Sequence, residues 1–185
     1  MMKSILKDAL TLLCITLVAG LCLSFVYELT KGPIAEAELQ KKYASYQVVM
    51  ENVKFSELSE EQQTALNASD YLPPATIDEI LVAKDGDTLA GYVMSVTSKN
   101  GYGGEIKVAI GVSADGKVTG FSPLSHGETP GFGARMENDD VKASFVGVGS
   151  GAEFDGISGA TITSTALREI IDSAVWAANA LGEVQ

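Results

Sequence analysis

The chain has 185 residues and a formal net charge of −11, with one histidine, His126, and two cysteines, Cys14 and Cys22. That length holds one domain of ordinary size and an appendage. The acidity, offset by no basic cluster, speaks against nucleic-acid binding through phosphate neutralisation, and a lone histidine excludes bis-histidine haem and histidine-rich metal sites within the chain.

The appendage comes first. Between Asp8 and Glu28 lie about nineteen uncharged residues rich in Leu, Val, Ile and Ala, which as a helix span roughly 29 Å, the thickness of a bilayer core. Tyr27 stands where an interfacial aromatic belongs. The sequence thus predicts a tail over 1–7 and a transmembrane helix over 8–28. A cleaved signal peptide is the rival, but the run is long for one and lacks a small-x-small cleavage site. A lipoprotein signal fits badly because Leu21 precedes Cys22 where a small residue is wanted. Lys3 and Lys7 precede the span while Lys31, Lys41 and Lys42 follow it, so charge counting leaves its orientation open. Cys14 and Cys22 both fall inside the span, about 12 Å apart along a helix axis and too distant to bridge. The remainder therefore has no thiol for a disulfide, an iron–sulfur cluster or a cysteine zinc site. Redox chemistry would need an organic cofactor or partners.

A membrane-proximal helical segment, 29–70, follows. Ile34, Ala37, Leu39, Tyr43, Tyr46 and Val49 predict a helix over 34–52, with a break from the span at Gly32-Pro33. A short polar helix is expected over 56–67, where Ser59 and Gln62 have capping-box spacing. From 71 to 185 the pattern is that of a separate domain. β-rich runs at 76–83, 89–96, 105–112 and 118–123 are punctuated by Asp85-Gly86-Asp87 and Ala114-Asp115-Gly116, both hairpin signals. A glycine-rich loop over 125–135, a short helix or strand around 139–149 and a closing helix over 162–181 complete it. Trp176 lies on the apolar face of that helix. The predicted class is α+β, a twisted antiparallel sheet with packing helices.

The chemistry is concentrated just before the closing helix, in Asp155-Gly156-Ile157-Ser158-Gly159-Ala160-Thr161. A glycine-rich turn feeding a helix N-terminus presents unpaired N–H groups and the positive end of the helix dipole, a site for an anion. A small hydroxyl residue there can itself carry the anion as an ester. On spacing alone, such a run is more often a capped turn.

As a string of residues it resembles the Asp-Gly-x-(Ser/Thr)-Gly-Ala-Thr motif of proteins that carry FMN on the last threonine through a phosphoester, which makes Thr161 the implied attachment residue. The resemblance also implies a separate transferase that loads the flavin, with Asp155 and Gly156 in the surface it recognises. Ser158, Gly159 and Ala160 complete the turn, and the N–H groups from Ile162 to Ser164, with the hydroxyls of Thr163, Ser164 and Thr165, are expected to cradle the phosphate. A second string, His126-Gly127-Glu128-Thr129-Pro130-Gly131-Phe132-Gly133, resembles the His-x-Glu-Thr-Pro-Gly-x-Gly signature that accompanies this flavin motif in membrane redox complexes. It assigns Glu128, Thr129, Pro130 and Gly131 to the flavin site, with Thr129 and nearby N–H groups as donors to the ring edge. Gly101-Tyr102-Gly103-Gly104-Glu105-Ile106 also matches, with Tyr102 near the ring. His126 is expected to pair with a neighbouring carbonyl as scaffold, and Arg135 to pair with flavin, with Glu128 or in a surface ion pair.

With Val26-Tyr27-Glu28-Leu29-Thr30-Lys31-Gly32-Pro33-Ile34 added, nearly the whole chain is similar to the RnfG component of Rnf complexes, which pass electrons between ferredoxin and NAD and couple the transfer to sodium or proton movement. They are similar to the sodium-pumping NADH:quinone oxidoreductase, whose C-type component shares the FMN domain. The resemblance implies an electron relay with covalent FMN, integral-membrane flavin and iron–sulfur subunits as partners alongside the lipid bilayer, and a flavin domain outside the cytoplasmic membrane with the N-terminus inside. The alternatives are a stand-alone anchored flavoprotein, the C-type component of a quinone reductase, and an anchored binding module without cofactor, which leaves both glycine-rich motifs unexplained. No metal site is expected.

Overall fold

The computed structural model describes residues 2–67, 71–149, 151 and 156–182. The chain divides into two compact units, 1–41 and 42–185. The described residues of the first are helical throughout and belong to α1, which runs over Met2–Val49. Its apolar stretch has the length and composition of a membrane span. The expected break at Gly32-Pro33 does not occur, because Pro33 lies inside the helix. Proline removes one backbone hydrogen bond and its φ is already helical, and here the turns on either side carry the helix across. It ends beyond Val49, where Asn52 takes a φ of +60°, a conformation asparagine tolerates and a helix cannot contain.

The second unit is built on a five-stranded antiparallel meander: β1 (Lys54–Glu57), β2 (Thr76–Asp85), β3 (Thr88–Gly101), β4 (Gly104–Ser113) and β5 (Val118–His126), in spatial order of sequence. The predicted strands are all present, and longer. β1 is an addition to them: Ser56 and Glu57 pair with Val82 and Leu81 instead of starting a helix. A four-residue edge strand carries too little alternation to be recognised alone. The helix after it, α2 (Glu60–Asn67), starts at the predicted capping box, with Gln62 N–H donating to Ser59 Oγ at 3.3 Å and Ser59 N–H to Gln62 Oε1 at 3.1 Å. A 3-10 turn (Gly133–Glu137), α3 (Asp139–Ser144) and α4 (Thr161–Gly182) follow.

α4 covers one face of the sheet. Its period places Leu167, Ile170, Ile171 and Ala174 against Met94, Val96, Ile106, Val108 and Ile110 of β3 and β4, all buried. Trp176 is only half-buried at the edge of this core, with its ring 4.9 Å from that of Tyr71. The opposite face receives the last turns of α1, where Tyr46, Val49 and Met50 pack on Ala83, Val93 and Ala109.

A polar clamp closes this second contact. Tyr46 donates to Glu79 Oε2 at 2.5 Å, and Lys42 Nζ lies 2.7 Å from the same oxygen. Burial alone would raise the Glu79 pKa, but hydrogen bonds from Lys42 and Tyr46, with the Lys42 charge, outweigh it and hold the carboxyl below its ordinary value. The Tyr46 phenol moves the other way, raised first by burial and then by the hydrogen bond and charge of Glu79. A depressed carboxyl contributes stability above the unfolded value of about 4.3 and loses it as pH falls through the folded value. A raised phenol contributes below about pH 10 and loses its share above that. Urea unfolding should therefore show Glu79→Gln flattening the acid limb between about pH 5 and pH 3, and Tyr46→Phe costing about 1–2 kcal/mol near neutrality.

Candidate functional site

A cavity of about 450 Å³ opens where the β3–β4 turn, the loop after β5 and the start of α4 converge. Its size falls in the range of roughly 300–1,000 Å³ common to cofactor sites. Tyr102 comes from the β3–β4 turn, Glu128, Thr129, Phe132 and Gly133 from the loop, and Gly159 to Thr163 from the head of α4. Three segments that the sequence singles out separately thus form one site.

The α4 wall follows from its residues. Ala160 N–H donates to the Ile157 carbonyl at 2.9 Å, closing a turn whose third residue, Gly159, has φ +80°. A type II turn needs that backbone, and glycine supplies it without strain. The Ala160 carbonyl then accepts the Ser164 N–H at 2.9 Å, which starts the helix at Thr161. The N–H groups without an acceptor inside the helix are consequently those of Thr161, Ile162 and Thr163. Ser164 N–H, one of the donors expected for a phosphate, is thus spent inside the helix. Ser164 is a brace: its hydroxyl accepts from Ile157 N–H and donates to the Ala160 carbonyl, both at 2.9 Å. Thr161 itself is exposed, and no acidic residue occupies the first turn to oppose an anion.

The loop wall is shaped by a second turn. Phe132 N–H donates to the Thr129 carbonyl at 3.2 Å around Pro130 and Gly131, the latter at φ +79°. Pro-Gly at the two central positions is type II turn chemistry. Pro130 and Gly131 therefore shape the loop and stand outside the cavity wall, as do Ser158 and Ser164. Gly156 is exposed beside Ser164, and Asp155 lies outside the described residues.

Glu128 is buried and accepts from Gly103 N–H at 2.9 Å and from the Thr163 hydroxyl at 2.5 Å, so its carboxylate ties all three segments together. His126 meets a carboxylate and a backbone N–H in place of the expected carbonyl. Its Nε2 faces Glu137 Oε1 at 3.1 Å, and its Nδ1 accepts the Glu128 N–H at 3.2 Å. An accepting Nδ1 assigns the proton to Nε2. Arg135 does not pair with Glu128 and instead points Nη1 at the Ser158 carbonyl, 3.5 Å away.

Phe132 has no role in the sequence-based expectations. It stands 56% exposed in the cavity wall, with its ring beside Gly159, and Tyr102 (68%) and Ile162 (52%) are also open. Three large apolar side chains left exposed around one cavity call for a ligand surface to cover them. An aromatic inside a glycine-rich loop is the signal that could have found it.

These features fit FMN. The hydroxyl and free N–H groups at the α4 terminus suit a phosphate, the apolar rim suits a flat ring, and Thr129 adds a polar contact. Comparison with known proteins agrees. Residues 101–175 match the model of the FMN-binding domain, and residues 1–49 match that of the RnfG N-terminal region. The chain is 30% identical to the G component of the Na⁺-translocating ferredoxin:NAD⁺ oxidoreductase complex of Acetobacterium woodii, over 94% of this chain and 91% of that protein. It is 35% identical to the G component of an ion-translocating oxidoreductase complex of Cereibacter sphaeroides, over 89% and 80%. The G component of the proton-translocating ferredoxin:NAD⁺ oxidoreductase complex of Clostridium ljungdahlii is 28% identical over 90% and 86%. With an apolar N-terminal helix, a five-stranded antiparallel sheet and an FMN-binding domain between them accounting for the matches along its length, the chain belongs to the RnfG family, whose members are subunits of ion-translocating oxidoreductase complexes.

Proposed function

We propose that this chain is the electron-relay subunit of a membrane-bound ion-translocating ferredoxin:NAD⁺ oxidoreductase, carrying FMN as a phosphoester on Thr161. The observation that carries the reading is the exposed Thr161 hydroxyl in the wall of an apolar-rimmed cavity, on the first turn of a 22-residue helix. Bound FMN supplies reversible electron uptake and release. The chain's own residues hold it: Thr161 bears the phosphate, the N–H groups of Ile162 and Thr163 face its remaining charge, and Tyr102, Phe132 and Ile162 cover the ring.

No Ser-His-Asp arrangement activates the Thr161 hydroxyl, since the only histidine is committed to Glu137 and the Glu128 N–H. Loading therefore falls to a separate flavin transferase, which would recognise Asp155 and Gly156. The helix over 8–28 anchors the chain in the cytoplasmic membrane, with the N-terminus inside and the flavin domain outside. The other Rnf subunits, integral-membrane flavin and iron–sulfur proteins, exchange electrons with it. Residues 9–27 carry no charge, so ion coupling belongs to those partners.

A relay of this kind binds no nicotinamide. The flavin-loaded full-length chain should show no diaphorase activity with NADH, yet be reduced by dithionite and reoxidised by a soluble acceptor. Steady NADH turnover by the isolated chain would contradict the relay role.

A further inference from the structure

We infer that Glu128 sets the redox potential of the bound flavin, acting as a buried negative charge in the wall of its cavity. The inference rests on the reading that FMN occupies this cavity from Thr161. Glu128 is 6% exposed and lines the cavity. Both carboxyl oxygens are engaged, one with Gly103 N–H at 2.9 Å and the other with the Thr163 hydroxyl at 2.5 Å. Its surroundings are made to its shape, because a Cβ at Gly101 or Gly133 would overlap its oxygens.

Among the described residues no cation answers this charge. The arginine on the same loop, Arg135, is turned to the Ser158 carbonyl, and none of the ion pairs includes Glu128. A buried charge held only by neutral donors is costly. A glutamine would tie the same segments at less cost, its oxygen accepting from Gly103 and its amide donating to Thr163. The clamp therefore does not account for the carboxylate, whereas a redox site gives the charge a use. Reduction adds two electrons and one proton to a ring that is neutral when oxidised, the electrons coming from a reduced carrier and the proton from water. One negative charge then appears in the cavity. A fixed carboxylate opposes it and lowers the potential, as like charges oppose each other's ionisation.

The test is a spectroelectrochemical titration of the full-length chain in detergent, loaded by a flavin transferase, with dithionite as reductant. Glu128→Gln should raise the reduced-to-oxidised ratio at least tenfold at a fixed ambient potential, about 30 mV for a two-electron couple. Thr163→Val keeps the charge but removes one of its donors, and should move the midpoint downward. A residue that merely held the loop would move both variants the same way or neither. An unmoved or lowered midpoint for Glu128→Gln at wild-type flavin loading overturns the inference. If that variant loads no flavin, Thr163→Val decides, a lower midpoint supporting the inference and an equal or higher one overturning it. Failure of the underlying flavin reading is seen earlier and separately, as a wild-type chain that shows no flavin fluorescence on a denaturing gel.

Discussion

Thr161→Ala should reduce covalent flavin to background while leaving the fold intact. Co-expressed with a flavin transferase, the wild-type chain is expected to give a band that fluoresces under ultraviolet light after denaturing electrophoresis, with a mass increase matching one FMN less one water. The alanine variant should give neither. Thr161 is exposed at the first position of α4 and its side chain braces nothing, unlike Ser164. The loss of its hydroxyl should cost no more than about 0.5 kcal/mol of stability, the ordinary range for surface substitutions. Thr161→Ser keeps a hydroxyl at the same place and should retain some label. A fluorescent alanine variant would move the attachment elsewhere, and a dark wild type with active transferase would reduce the motif to a capped turn.

The second large effect is expected at Gly103→Ala. A Cβ at this position would overlap the Gly127 carbonyl, and both atoms involved belong to backbone, so no side-chain rotation relieves the clash. Gly103 also donates the N–H that holds Glu128. The β3–β4 turn and the loop after β5 would have to part, at a cost of about 2–4 kcal/mol. That corresponds to a fall in melting temperature of roughly 10 °C. Because this seam forms two walls of the cavity, flavin loading should drop together with stability. Gly86→Ala is the control. It sits in an open turn at φ +62° with nothing near its Cβ, and should cost only about 1–2 kcal/mol with loading unchanged. Equal losses for the two variants would mean that the seam does not support the site.

The two glycine positions also separate what is legible in the chain from what is not. Gly86 follows an aspartate between two alternating runs, a purely local pattern, and the hairpin it marks is readable from sequence. The capping box at Ser59 and Gln62, the four main strands and the closing helix are readable for the same reason, since each depends on neighbours within a few residues. The flavin motifs are readable as strings, which name Thr161, Tyr102 and the loop from His126 to Gly133 without showing that they meet.

What the residues alone determined is thus local and compositional: an uncharged span, strands of an antiparallel sheet, a helix whose N-terminus can hold an anion, and the absence of thiol and histidine chemistry outside the membrane segment, His126 apart. The tertiary structure decided every relation between distant residues. It placed Gly103 against Gly127, gave Glu128 to Gly103 and Thr163, turned Arg135 to Ser158 and left Phe132 in the cavity wall. It carried α1 through Pro33 and made an edge strand of Lys54–Glu57. Periodicity encodes which side of an element is apolar, but not which element will face it. Hydrogen-bond partners 25 or 35 residues apart exist only once the sheet and α4 have packed.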